Sequence, residues 1–284
     1  MRVRKFLLEN EKGQQFDMNN YRESCFLTAP TGLGYSNKSE FGQIGNTFIE
    51  ILRKTERKDI GGIVNFKSYD KCKKFIDFIE QSNELKFTYM VPFDNGYKTY
   101  YRDVIVQDFQ KTERQARVLS CPIIFNALSL WYEENTVIHT IEPLEDEIRW
   151  NFRWDSKFSD YNTRSLSYIN QGHIEAPILV EISGYVQNPE IDMYIDGELY
   201  QSVPLTVEIS QFEKLLYGTK ENDFHIKRQK ADGTTESLFN LDVIDFYNDN
   251  VIRIPKNRSC EIRLTADNEI LNAKVTILTY YKAV

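Results

Sequence analysis

The sequence predicts a mainly β protein: two β-sandwich domains, the first carrying a single packed α-helix. Three observations predict it. Short runs of alternating apolar and polar residues recur at spacings of roughly 8–12 residues, with turn signals between them. One helical period stands out, over residues 69–81. The composition is 41% hydrophobic and 13% aromatic, enough for a packed core. At 284 residues the chain buries roughly three quarters of its unfolded surface, so two cores form without covalent staples.

The elements follow in order. Phe6 to Glu9 reads as a strand closed by a turn at Gly13. Thr31-Gly32-Leu33-Gly34 reads as a flexible loop, with further glycines at 42 and 45. Thr47 to Arg53 is strand-like, Gly61-Gly62 is a turn, and Ile63 to Phe66 a short strand. In 69–81, Tyr69, Cys72, Phe75, Ile76 and Ile79 share a face. Ser68 suits the N-cap, Asp70 suits the positive end of the dipole, and Asn83 suits the stop. Leu85 to Tyr89 alternates. Asp94-Asn95-Gly96 turns the chain into Tyr97 to Phe109. Val118 to Phe125 is apolar on both sides, predicting a strand buried on both faces with Pro122 at a bulge or edge.

The acidic stretch Glu142 to Glu147 has no apolar period and marks a linker or long loop over 133–150, between domains at 1–132 and 151–284. Trp150, Phe152 and Trp154 then alternate, and Pro177 to Gly184 is a strand. Asn188-Pro189 turns into Ile191, Met193 and Ile195, which share a face, and Asp196-Gly197 predicts a primed hairpin turn. Ser210-Gln211-Phe212-Glu213 has the form of a capping box, predicting a short helix that Gly218 ends. Asp232-Gly233 marks another hairpin. Ala273 to Tyr281 alternates, with Val275, Ile277 and Thr279 on one face.

Composition limits function. With 35 Lys+Arg against 42 Asp+Glu the formal charge is −7, which opposes tight sequence-independent binding to nucleic acid. The apolar runs are too short for a membrane span, and the basic start at Met1 to Lys5 lacks the apolar stretch of a secretion signal. Synthesis in cytoplasm is the expectation. Cys25, Cys72, Cys121 and Cys260 lie far apart with no CxxC, which predicts buried free thiols and no zinc ribbon.

The chain offers little site chemistry. His139, His173 and His225 are scattered, with no HExxH pair. Ser183-Gly184 lacks the GxSxG elbow, and Gly32, Gly34 and Asn37 leave a GxGxxG incomplete. Asp245, Asp249 and Asn250 could offer oxygen ligands to calcium but lack EF-hand order; a solvated turn accounts for them better. Trp131, Trp150 and Trp154 could stack on sugar rings, against the plainer role of core or subunit contact. The chain therefore reads as a protein that binds and assembles rather than an enzyme, with no cofactor and no metal site.

An ordered series of segments adds to this. Gly13 with Phe16 leads to Gly32-Leu33-Gly34, and Phe75 to Ile79 forms the helix. Leu85 to Tyr89 and Arg102 to Val106 precede Lys111-Thr112-Glu113, and Leu119 to Phe125 runs into Leu128 to Tyr132. Asn170, Gly172 and Ala176-Pro177 lead into Ile182-Ser183-Gly184 and Asn188 to Ile191. In this series the chain resembles the distal tail proteins of long-tailed phages, a baseplate hub component. One departure is visible: where the family often has Gly-Asn before a late strand, Pro255-Lys256-Asn257-Arg258 stands here.

The resemblance implies a tail-tube-like first half that builds a six-membered ring. It implies a galectin-like or carbohydrate-module-like second half facing outward. The ring would sit at the virion tail tip, join the tail tube protein to a tail hub or tail-associated protein, and carry receptor-binding proteins. DNA would pass its channel without specific binding, past six acidic subunits. Gly32, Leu33, Gly34 and Tyr35 open a glycine-rich segment, 32–45, expected either to reach a neighbouring subunit or to form a disordered surface loop. The alternative is a carbohydrate-binding module for the host cell wall, stacking sugars on Trp150 and Trp154.

Overall fold

The computed structural model describes residues 3–140, 164–240, 242–245, 249–268 and 272–284. The chain divides into two compact units, Met1–Glu133 with Tyr280–Val284, and Glu134–Thr279. Both are β-rich, each around its own apolar core.

The first unit contains β1 (Lys5–Asn10), β2 (Gln15–Asp17), β3 (Phe26–Thr31), β4 (Ser36–Ile44), β5 (Thr47–Glu56) and β6 (Ile60–Phe66). Then come α1 (Tyr69–Glu80), β7 (Leu85–Phe93), β8 (Gly96–Phe109), β9 (Leu119–Ala127) and the start of β10 (Trp131–Thr140). Antiparallel pairing runs β2-β1-β7-β8-β9-β6-β3. The sheet curls until its ends meet: Met18 N–H donates to Phe6 O at 3.1 Å, and Leu27 N–H to Met18 O at 3.0 Å.

Gly61-Gly62 is not a turn; both residues lie inside β6. The glycines serve close approach instead. A Cβ on Gly62 would come within 2.7 Å of Leu27 Cδ1, and one on Gly61 within 2.8 Å of Thr31 Oγ1. β9 is not buried on both faces either. Leu119, Cys121, Ile123, Phe125 and Ala127 point in, while Ser120 and Ile124 are exposed. Pro122 escapes the cost of a missing N–H because the β8–β9 ladder ends one residue away, at Phe109 opposite Ile123.

The helix buries Cys72, Phe75 and Ile79. Phe75 meets Phe16, Phe66 and Phe109 with ring centres 5.1, 5.5 and 5.5 Å away. Ser68 holds the N-cap position with an extended backbone but makes no side-chain cap bond, and the helix stops at Glu80, before Asn83. Lys71, Lys73 and Lys74 crowd the half nearer the positive end of the dipole, and Asp77 and Glu80 the other half. Charges placed this way oppose the macrodipole, at about 0.3–1 kcal/mol for those within the end turns. Asp70 alone complements it.

A second local cost lies between β8 and β9. Gln115 and Val118 exchange both backbone hydrogen bonds, at 2.9 and 2.8 Å, around Ala116-Arg117. Both central residues have positive φ, 47° and 72°, the pattern of a type I′ turn. Asn-Gly is the usual pair there; side chains larger than glycine pay roughly 1–2 kcal/mol each in the left-handed region.

The second unit holds the rest of β10, then β11 (Arg164–Ile169), β12 (Ala176–Ser183), β13 (Val186–Gln187), β14 (Glu190–Ile195), β15 (Glu198–Pro204) and β16 (Glu208–Ile209). It continues with β17 (Lys214–Lys220), β18 (Asp223–Gln229), β19 (Thr235–Ser237), β20 (Arg253–Ile254), β21 (Ser259–Thr265) and β22 (Asn272–Tyr281), which ends in the first unit. A sheet β11-β21-β14-β15 lies in this unit beside the run β19-β18-β17-β12-β22. Ile191, Met193, Ile262 and Leu264 from the first belong to the same core as Ile178, Val180, Leu215 and Ile277 from the second.

Asp196 and Gly197 take φ of 55° and 86° between the paired Ile195 and Glu198, as the primed hairpin requires. The expected helix after Ser210 does not form; β17 stands there. Half of the capping box is nevertheless made, Ser210 N–H donating to Glu213 Oε2 at 3.1 Å. It closes a turn only, because Leu215 and Tyr217 bury with period two between β12 and β18. Where a glycine is absent before β21, Asn257 takes a φ of 56°, so an asparagine meets the same demand. β22 is buried on both faces: Thr276, Leu278 and Tyr280 are inside along with Val275, Ile277 and Thr279.

Two sequence boundaries move. Residues 133–140 extend β10 rather than opening a linker, and Tyr280–Val284 join the first unit. Tyr281 O–H donates to Glu133 Oε2 at 2.7 Å, and Val284 packs on that unit's core. The acidic stretch 142–147 lies outside the described residues.

All four cysteines are free and buried. Burial pushes Cys72 and Cys260 up to about 11, with the Cys121 thiol adding to the effect at Cys72, and drives Cys25 higher still. The thiolate is the reactive form. A thiol-exchange reagent at pH 8 is therefore expected to leave all four unmodified in the native protein and to titrate all four in guanidinium; rapid loss of even one native thiol would contradict the burial.

Candidate assembly site

β4 and β5 pair only with each other among the described residues. The turn between them, Gly45-Asn46, has φ of +61° at Gly45 alone, matching the II′ pattern. Register places Phe41 opposite Glu50 and Gln43 opposite Phe48 on one face. Glu40 with Leu52, Gly42 with Ile49, and Ile44 with Thr47 lie on the other. A bulge sets Ile51 over Gly42, where a Cβ would come within 2.7 Å of Ile51 Cδ1.

Both faces of this hairpin are therefore apolar, and both are exposed. Phe41, Ile44, Phe48 and Ile51 are 62%, 69%, 68% and 72% accessible. Two paired strands without a covered face are marginal in water, and the outer edges of β4 and β5 pair with no other described strand. Such a surface calls for a partner.

The root is built differently. Gly32 sits at φ +79°, and a Cβ there would lie 1.9 Å from Asp59 O. Its own carbonyl accepts from Arg102 Nη1 at 3.4 Å. Arg102 is 2% exposed, donates Nε–H to Ser129 O at 2.9 Å, and holds its guanidinium 5.4 Å from the Trp131 ring centre. Burial lowers its pKa to about 10, and the charge of Asp59 works against that fall. Asp59 Oδ1 accepts from Ala127 N–H at 3.1 Å and lies 3.2 Å from Arg57 Nε, just past the end of β5. Arg102 thus ties down the strand entering the arm, and Asp59 the strand leaving it.

Of the predicted contact residues, Gly32 and Leu33 belong to this root, Leu33 against the core. Gly34 and Tyr35 lead outward, Tyr35 being exposed. The arm itself is Ser36–Glu56, longer than the expected 32–45 and a hairpin rather than a loop. The signal was present: apolar residues on both parities around a glycine turn.

The other candidates scatter. Trp131 is buried in the first core, so it stacks on no sugar; Trp150 and Trp154 lie outside the described residues. His225 lies across Gly218 with Nδ1 2.9 Å from Asp223 O; His173 is exposed elsewhere. Asp249 Oδ1 accepts from Val251 N–H at 3.1 Å and Asn250 Nδ2–H donates to Asp245 O at 2.9 Å. A strand, not a helix, follows Gly32 and Gly34, so the incomplete glycine motif cradles no phosphate. Among the described residues no three His, Cys, Asp or Glu side chains cluster to hold a metal, and no helix is long and apolar enough to cross a membrane.

Residues 5–128 match the family described as distal tail protein, N-terminal domain. That segment is similar to the N-terminal domain of distal tail proteins. The distal tail domain takes in the arm, its root and the helix. Over the whole length the chain is similar to a chain in the phage P2 baseplate in its activated conformation with Ca, at 16% identity and TM-score 0.69, covering all of both chains. The same values hold for that baseplate with Sr. The SPP1 Dit protein, described as a paradigm of the hub adsorption apparatus in phages infecting Gram-positive hosts, matches at 10% identity and TM-score 0.57 over 98% of each chain. These likenesses establish a shared fold. No curated protein matches the sequence.

Proposed function

We propose that this chain is a structural ring subunit of a phage tail tip. Six copies close around the channel through which DNA leaves, joining the tail tube to the baseplate hub and scaffolding host-recognition proteins. The distal tail domain and the baseplate and hub proteins that share its fold support placement in the tail. The observation that carries assembly is the arm: a rooted hairpin, apolar on both faces, covered by nothing described in its own chain. An arm that lies on the next subunit gives a heterologous contact, and such contacts close into rings.

Light scattering on the full chain, alone and with tail partners, tests this. A ring-sized mass that appears as concentration rises is expected. A monomer that persists under every condition would overturn the proposal.

A further inference from the structure

We infer that copies of this chain join head to tail by charge, the cationic turn beside the start of α1 seating in an acidic cleft beyond its end. The inference rests on the ring reading and adds to it a second contact, separate from the arm.

Arg22, Lys67, Lys71, Lys111, Arg114 and Arg117 form the head. Lys111 Nζ lies 5.7 Å from the Tyr69 ring centre, and Arg114 N–H donates to Tyr69 O–H at 3.4 Å. The Lys71 ammonium donates to Arg22 O, and Tyr21 O–H donates to Arg117 O at 3.4 Å. Asp70, Glu113 and Glu23 lie among them, yet none of the six cations stands in an ion pair among the described residues. Lys73, Lys98 and Lys214, by contrast, are each paired. At the tip, the strained Ala116-Arg117 turn holds Arg117 outward and exposed.

The tail begins where the helix stops. A cleft of about 350 Å³ is lined by Glu9, Glu11, Glu84 and Asp103, with Lys86 at its side. Glu11 Oε1 accepts from the Asn83 and Glu84 N–H groups at 2.9 and 2.8 Å, fixing that rim. Glu80 adds a further exposed carboxylate. The twelve-residue helix between the patches spans about 18 Å. Its lysines stand toward the head and its last acids toward the tail, against the preference of its own dipole. A helix arranged for its own stability would carry the reverse. Opposite charge at two ends of one subunit fits a second copy, because every head then meets a tail.

The test uses full-length Arg114→Glu/Arg117→Glu, Glu9→Lys/Glu84→Lys and the four-fold variant, each checked for native thermal unfolding. Glu9 and Glu84 are chosen because neither side chain holds the loop backbone. Each double variant is expected to raise the concentration for half-assembly at least ~100-fold, since like charges then face each other. The four-fold variant is expected to recover to within ~10-fold of the natural chain. Assembly of the natural chain is expected to weaken as salt rises from ~50 to ~500 mM, because exposed charges are screened. Should a double variant fail to fold, Arg117→Gln and Glu84→Gln give the same sign at smaller size. Double variants that assemble like the natural chain, or a folded four-fold variant with no recovery, would overturn the inference while leaving the ring reading intact. A natural chain that never assembles sinks the ring reading itself.

Discussion

Serine at Phe41, Phe48 and Ile51 is expected to give a folded protein that no longer assembles. The three side chains are more than half exposed, so the fold loses at most about 1.5 kcal/mol. A neighbour covering them gains about 1.5–3 kcal/mol for each side chain fully buried. Losing even half of that total weakens the contact at least ~40-fold, since each 1.4 kcal/mol is tenfold. Sedimentation across a concentration series, beside a thermal melt, reads both quantities. Phe41 and Phe48 lie on one face and Ile51 on the other, so Ile51→Ser alone separates the faces. A triple variant that assembles at the natural concentration would show that the arm is not the contact.

Arg102→Leu is expected to be the most damaging single substitution, costing about 2–6 kcal/mol. A buried acceptor left without its donor costs about 1–3 kcal/mol, and Arg102 serves two of them. Leucine would leave Ser129 O and Gly32 O without that donor. It would also take the cation from the Trp131 ring. For a unit of this size the melting temperature should fall by roughly 7–20 °C. Arg102→Lys keeps the charge but loses the fork that reaches two carbonyls, and should fall in between. A melt of Arg102→Leu within a degree or two of the natural protein would show the network to be dispensable.

These two sites differ in how far the sequence exposed them. The arm was half visible: Thr47 to Arg53 read as a strand and the glycines at 42 and 45 as a reach toward a neighbour. Its partner strand was not read, because Ser36 to Glu40 is polar and carries no apolar alternation. In sequence Arg102 is one residue of the segment Arg102 to Val106. Nothing local marks an arginine as buried, since its partners Gly32, Asp59 and Ser129 come from distant parts of the chain.

The sequence by itself determined the β class, the one helix and its buried face, the Asp196-Gly197 turn, and the likeness to distal tail proteins. These rest on period, on φ demands at single residues and on the order of segments, all of them local. Only tertiary structure decided that Gly61-Gly62 lies within a strand, that Ser210 to Gly218 extends rather than coils, and that the last five residues return to the first unit. In each case a neighbouring strand or core supplied what the local signal lacked. Close backbone approach used the glycines, burial with period two outweighed one capping bond, and a hydrogen bond to Glu133 held the terminus.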